Sequence, residues 1–288
     1  MVSNFEYKEF CTSLLEEAGN FVLSYFDKKF EITSKDRKNN LVTEVDKKCQ
    51  ELIKSKINLR FPDHSIIGEE DEEGSFVAKE KDYVWVIDPI DGTTNFANGL
   101  PNFSISIGLL NNSEPIAGSI WVPWPNENQC LIFSTGKGEG AWIGNKRIFL
   151  NKLEPFSLDA GAISSYSSFS PIFGNKDRKI EPMNKIIKGD KRVIGSVAYE
   201  MAMIAKGVIK FSLLGPAFIW DFGAGLLLIK EAGGMVLELD KNYLPIREFN
   251  SFINGKNTTT YNNLKEWSGK FIAGHSGIIK LDNKQKFV

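Results

Sequence analysis

Asp88 and Asp91 stand three positions apart within residues 83–110, which read YVWVIDPIDGTTNFANGLPNFSISIGLL. Two carboxylates held around a turn can face a single point. Gly92 lets the backbone approach a ligand closely, and Thr93 and Thr94 place two hydroxyls beside it. Oxygen donors of this kind suit a divalent cation and the phosphate bound to it. The same residues are also ordinary turn makers, since Asp-Pro and Asp-Gly both favour chain reversal. The motif alone leaves both readings open.

Other acids occupy positions from which they could join the pair. Glu69 follows the short apolar run 65–67 and Gly68, at the end of an expected strand, where ligand sites are assembled in α/β sheets. It also begins the acidic run 69–73, a pattern common to solvated loops. Asp46 lies three residues after Thr43, where it serves as a helix-start acid or as a catalytic group. Asp221 opens a strongly apolar helix, a place suited both to capping and to aiming a carboxylate at a metal. Gly195-Ser196 begins a further helix over 197–206, whose first amides either bind an anion or hydroxyl or are simply capped.

The elements that position these residues follow from periodicity. Residues 5–26 carry a helical apolar stripe, and a second helix begins after Thr43 with Val45, Cys49, Leu52, Ile53 and Ile57 facing inward. The run 83–87 is a buried strand expected to stop at Asp88-Pro89, because proline gives no N–H to a ladder. Strands are expected over 103–110, 116–122 and 129–134 as an antiparallel series, then over 192–194, 208–214, 271–273 and 278–281. The glycine-rich 136–140 lacks the P-loop pattern and reads as a hairpin turn. Residues 153–190 are rich in loop signals, and 240–269 read as a polar inserted surface loop.

The 288 residues suffice for a sizeable core, and a net charge of −1 makes no electrostatic case for nucleic acid or an anionic membrane as partner. No apolar run reaches membrane-spanning length and residues 1–20 are unlike a signal peptide, so a cytoplasmic protein is expected. Three widely spaced cysteines without a CxxC pattern read as reduced thiols, and two histidines are too few for a His-rich metal site.

Taken in order, Gly68-Glu69-Glu70, the DPIDGTT segment 88–94, Gly195-Ser196, and Trp220-Asp221 followed by Glu231-Ala232-Gly233-Gly234 resemble the inositol monophosphatase family of Mg²⁺-dependent, lithium-sensitive phosphatases. The resemblance spans residues 5–238. It implies one α/β (α+β) domain over 1–288, a layered αβαβα sandwich of the sugar-phosphatase type, and a homodimer.

The resemblance also implies roles. Glu69, Asp88 and the carbonyl of Ile90 would hold one Mg²⁺, and Asp88, Asp91 and Asp221 a second. Glu69 could support a third through water. Thr93 and Asp46 would orient the attacking water, with Glu69 also catalytic. The amides of Gly92 and Thr93 would bind phosphate. Asp91, Gly195, Ser196 and Val197 would face substrate hydroxyls, and Lys35 falls where the family has a basic residue near the metals. The implied reaction is hydrolysis of a small phosphate monoester, inositol monophosphate first. Rival substrates are fructose-1,6-bisphosphate, histidinol phosphate, NADP or a 3′-phosphoadenosine nucleotide; the last is disfavoured by the DGTTNF form of the motif. A non-catalytic protein-binding module on the same fold is a rival of another class. One departure concerns Leu214, which stands where inositol-specific members carry an acid and cannot accept a hydroxyl's hydrogen bond.

Overall fold

The computed structural model describes residues 2–26, 28, 32–34, 41–72, 83–150, 160–163, 190–252, 264–277 and 279. Two helices open the chain. Helix α1 (Asn4–Leu23) starts in a capping box, with the Glu6 amide donating to Ser3 Oγ and the Ser3 amide donating back to Glu6. A short antiparallel pair, β1 (Ile32–Ser34) and β2 (Leu41–Thr43), precedes α2 (Glu44–Arg60), whose cap is the expected Thr43 with Asp46 in reciprocal contact.

The first large sheet comprises β3 (Ser65–Gly68), β4 (Tyr83–Asp91), β5 (Ser104–Asn111), β6 (Glu114–Pro123), β7 (Cys130–Gly136), β8 (Gly140–Ile143) and β9 (Lys146–Ile148), in that spatial order. From β4 onward every neighbour is antiparallel, the series expected from the sequence, and β3 joins β4 in parallel. One face carries Trp85, Ile87, Ile105, Ile107 and Trp121 onto the apolar stripes of α1 and α2. Leu52 sits at the rim of that stripe. His64 is part of this packing, accepting from Trp85 Nε1 at 3.1 Å and stacked on Tyr83. Cys11 and Cys49 are buried free thiols.

The opposite face of the sheet lies against α4 (Val197–Lys206) and α5 (Ile219–Glu231), numbered after the short α3 (Thr93–Ala97). Contact is close: a Cβ at Gly118 of β6 would sit 2.9 Å from the Cα of Ala224, so only glycine admits α5 at this distance. Beyond these helices lies the second sheet, formed by β10 (Ala160–Ile163), β11 (Asp190–Val193), β12 (Phe211–Phe218), β13 (Gly234–Leu239), β14 (Pro245–Glu248) and β15 (Ser268–His275) in the order β11-β10-β12-β15-β13-β14. The described residues thus stack as helices, sheet, helices, sheet. Residues 164–189 and 280–288 lie outside them, as do Lys35 and the expected final strand apart from Ile279.

Strand β10 lies inside the stretch 153–190 that reads as loop, and three further elements differ from the sequence expectation. Strand β4 does not stop at Pro89 but runs on to Asp91 through a break in its pairing with β5. Proline is admitted there because a bulge needs no ladder hydrogen bond from it. Strand β12 likewise continues past Leu214 to Phe218 through an irregularity between Leu214 and Ala217. Residues 240–252 and 264–269 are not simply polar surface loop. They supply β14 and bury Phe249, Phe252 and Trp267 against Phe222 and Phe271, the last two with ring centroids 4.4 Å apart. Those aromatics follow no period, so the surrounding Asn and Thr residues dominate the pattern.

Candidate active site

The break in β4 brings the two central aspartates together. Asp88 pairs opposite Ser106 and Asp91 opposite Ser104, so three steps on β4 match two on β5. In an unbroken strand, positions three apart point to opposite faces. The extra residue turns both carboxylates to the same side. Asp88 Oδ1 accepts from the Ile90 amide at 3.0 Å, which holds the bulge closed. Glu69, just beyond β3, is tied to β4 by its amide, which donates to Ile87 O at 3.1 Å.

Asp221 arrives from the other side, on the first turn of α5, where it accepts from the Phe218 amide at 3.0 Å. One oxygen each of Asp88, Asp91 and Asp221 lie within 4.8 Å of one another, all three side chains buried. They open into a cleft of about 250 Å³ that Glu69, Ile90, Gly92, Thr93, Gly195 and Val197 also line. Burial, then the neighbouring carboxylates, hold Asp88 and Asp221 well above the ordinary carboxylate range. Among the described residues no lysine or arginine forms an ion pair with any of the three. Buried carboxylates without a counter-charge are costly. An all-oxygen set of this kind, three carboxylates gathered within 4.8 Å, fits a hard divalent cation.

Asp91 is braced from a third element. Its Oδ2 accepts from Ser196 Oγ at 2.8 Å, the Ala198 amide at 2.6 Å and Ser104 Oγ at 3.4 Å. The first amides of α4 therefore do bind an anion, and the anion is Asp91. Burial pushes Asp91 up to about 6, against the lowering effect of Ser196 and Ala198. Ser196 is buried and turned to Asp91, not to the cleft, whereas Gly195 and Val197 line it.

Gly92, with φ +94°, turns the chain from β4 into α3, so the amides of Gly92 and Thr93 are first-turn amides with no partner inside the helix. Thr93 Oγ lies 3.1 Å from Asp46 Oδ1 and 3.0 Å from Ile90 O. Asp46 is fully enclosed and accepts from the Thr43 amide at 2.9 Å and from the Thr43 hydroxyl. Burial raises it to about 6. It reaches the cleft only through Thr93.

Some positions escaped the sequence reading. Asn95 donates to Asn102 O at 2.6 Å and Ile194 O at 2.8 Å, tying the α3 loop to the segment before α4. Its place in the DGTTN motif is a signal that could have found it. Glu200, buried and held well above its ordinary range by that burial, takes a short hydrogen bond from Ser212 and is approached by the Gly195 and Ile194 amides. Pro216, Phe218 and Trp220 line the cleft, and Leu214 does not, being buried in the core.

Three buried acids from separate elements, gathered at one cleft, form a set that could hold a metal ion. The model of the inositol monophosphatase family matches residues 5–276. A fructose-1,6-bisphosphatase/inositol-1-monophosphatase of Thermotoga maritima is 34% identical over 230 residues, 80% of this chain and 84% of that protein. Nus factor SuhB of Pasteurella multocida is 33% identical, over 78% of this chain and 82% of its own. The solved Thermotoga maritima IMPase superposes with a TM-score of 0.71 at 30% identity, covering 92% of this chain and 91% of that one. The chain belongs to the inositol monophosphatase family, and it is a phosphoric monoester hydrolase of that metal-dependent family.

Proposed function

We propose that this protein hydrolyses a small phosphate monoester with water as nucleophile and Mg²⁺ as cofactor. The observation that carries this reading is the meeting of Asp88, Asp91 and Asp221 within 4.8 Å in the cleft that Thr93 lines. Glu69, Asp88 and the Ile90 carbonyl would hold one Mg²⁺, and Asp88, Asp91 and Asp221 another, with Glu69 able to support a third through water. When bound, the cations polarise the attacking water and neutralise charge on the phosphate and the departing alkoxide.

The chain's own residues perform the rest. The Thr93 hydroxyl donates to Asp46 and so presents its lone pair to a water in the cleft, fixing that water's orientation. Asp46, raised to about 6, accepts the water's proton by way of Thr93 and does so near neutral pH. The amides of Gly92 and Thr93 hold the phosphate oxygens, and Asp91, Gly195 and Val197 face the alcohol. Water oxygen bonds to phosphorus, the ester P–O bond breaks, and the alkoxide leaves with a proton from solvent.

Inositol monophosphate, named in a relative, is the reference substrate, with fructose-1,6-bisphosphate, histidinol phosphate and NADP beside it. A cytoplasmic homodimer completes the proposal. The Nus factor name of another relative favours a second reading, a protein-binding module, yet every acid of the metal set is present and enclosed. Phosphate release from these esters with and without Mg²⁺ separates the two: Mg²⁺-dependent turnover supports the enzyme, and none with any ester favours the module.

A further inference from the structure

The wall of the cleft that meets the substrate's alcohol is built from Gly195, Val197, Gly215, Pro216, Phe218 and Trp220. Apart from Asp91 at its foot, this wall offers among the described residues one side-chain donor, the Trp220 indole N–H, and no further side-chain acceptor. A polyol set against it would lose water from its hydroxyls with little return.

Phe218 has the opposite character. It is 40% exposed, and of the large exposed apolar side chains among the described residues it alone lines the cleft. The irregularity at Gly215-Pro216 puts Ala217 into the core and leaves Pro216 and Phe218 outward. The Phe218 ring stacks on Trp220 with centroids 5.1 Å apart and planes at 9°. Its amide is fixed on Asp221 at 3.0 Å, so the ring is held beside the metal acids. A rigid, half-exposed aromatic at this place is a stacking surface already paid for in conformational entropy.

We infer that Phe218, backed by Trp220, is a specificity-determining platform for a planar ring on the leaving alcohol, so that the preferred substrates are phosphate monoesters of nucleoside type over polyol phosphates. The inference rests on the hydrolytic reading above and adds the substrate class to it. An in-line displacement sends the alcohol away from the Thr93 water, towards walls that α3 does not build. A base lying there stacks on Phe218 while its ribose phosphate stays among the acids.

The test is steady-state kinetics in Mg²⁺ with adenosine 2′- and 3′-monophosphate against inositol 1-phosphate and glycerol 2-phosphate, for the parent, Phe218→Ala and Phe218→Tyr. Expected is a higher kcat/KM for the adenosine esters in the parent. Phe218→Ala should lower the adenosine-to-polyol ratio about tenfold, chiefly through KM, and Phe218→Tyr should retain it. A parent that prefers polyol phosphates, or a ratio unmoved by Phe218→Ala, overturns the inference. If no ester is turned over, the hydrolytic reading fails by itself. Calorimetric binding of adenosine 2′-monophosphate against inositol 1-phosphate then decides: nucleotide preference lost in Phe218→Ala upholds the platform, and no preference overturns it.

Discussion

In the proposed scheme no neutral side chain can replace Asp88 without loss of function. It is shared between the two proposed cation sites, and its carboxylate is crowded by Asp91, Asp221 and Glu69. Asp88→Asn should lower kcat by at least about a hundredfold. It also removes a buried charge from a cluster of like charges, so the metal-free variant should melt no lower than the parent. Circular dichroism melting beside phosphate release measures both; an active variant contradicts the assignment of Asp88. Thr93 is a different case, since in the proposed scheme its hydroxyl bonds no substrate atom and its phosphate-holding amide survives substitution of the side chain. Thr93→Ala should cost about a hundredfold in kcat with little change in KM, because water orientation and proton transfer are lost while binding is kept.

The titration of these acids gives a pH dependence of definite sign. Asp46 rises from its ordinary 3.8 to about 6, with burial as the main cause, and Asp91 rises likewise. For a group raised on folding, stability is fully present below the unfolded value and lost as pH climbs through the folded one. Metal-free protein should therefore lose stability between about pH 4 and pH 7, and Mg²⁺ should restore more of it at the upper end, where protons no longer compete. Melting temperatures across this range, with and without the cation, check it; a metal-free protein that gains stability over the same window contradicts it.

At the scale of elements, two local devices set the site. The bulge in β4 turns Asp91 to the side of Asp88, and the cap of α2 holds Asp46 against Thr93. Thr43 supplies both its amide and its hydroxyl to Asp46. Thr43→Ala should cost about 1 kcal/mol of stability as a lost helix cap. It should also lower kcat, because Asp46 loses one of the bonds that fix it. Denaturant unfolding and kinetics on the same variant read the two effects separately, and an unchanged kcat would show that the cap plays no part in the chemistry.

These devices also mark what the sequence could and could not reveal. Asp46 was visible as a capping acid and Asp221 as a helix-start acid, because both roles depend on neighbours within three residues. The meander of β5, β6 and β7 was visible from its turns. The bulge was not, since pairing register is a relation between β4 and β5 and Pro89 by itself argues for a strand end. Ser196 was read as facing substrate because nothing local shows that Asp91 lies beneath it.

For the whole molecule, the site exists only where distant pieces converge. Glu69 and the β4 aspartates come from the first sheet, Asp221 from the helix layer, and the Phe218 wall from the C-terminal end of β12 in the second sheet. The order of the second sheet, with β15 between β12 and β13, lies beyond any local pattern, and so does the aromatic cluster that seats Phe249, Phe252 and Trp267. Family resemblance supplied the convergence that periodicity lacked. Among the described residues no side-chain charge compensates these acids, which the layers bury although they lie far apart in sequence, and in the proposed scheme a cation would supply that charge.

Chelation followed by metal return is the most direct measurement of that claim. Phosphate release from a nucleoside or inositol monophosphate should vanish in excess EDTA and return when Mg²⁺ is restored to free submillimolar or millimolar levels. Turnover that continues undiminished through chelation would contradict the account.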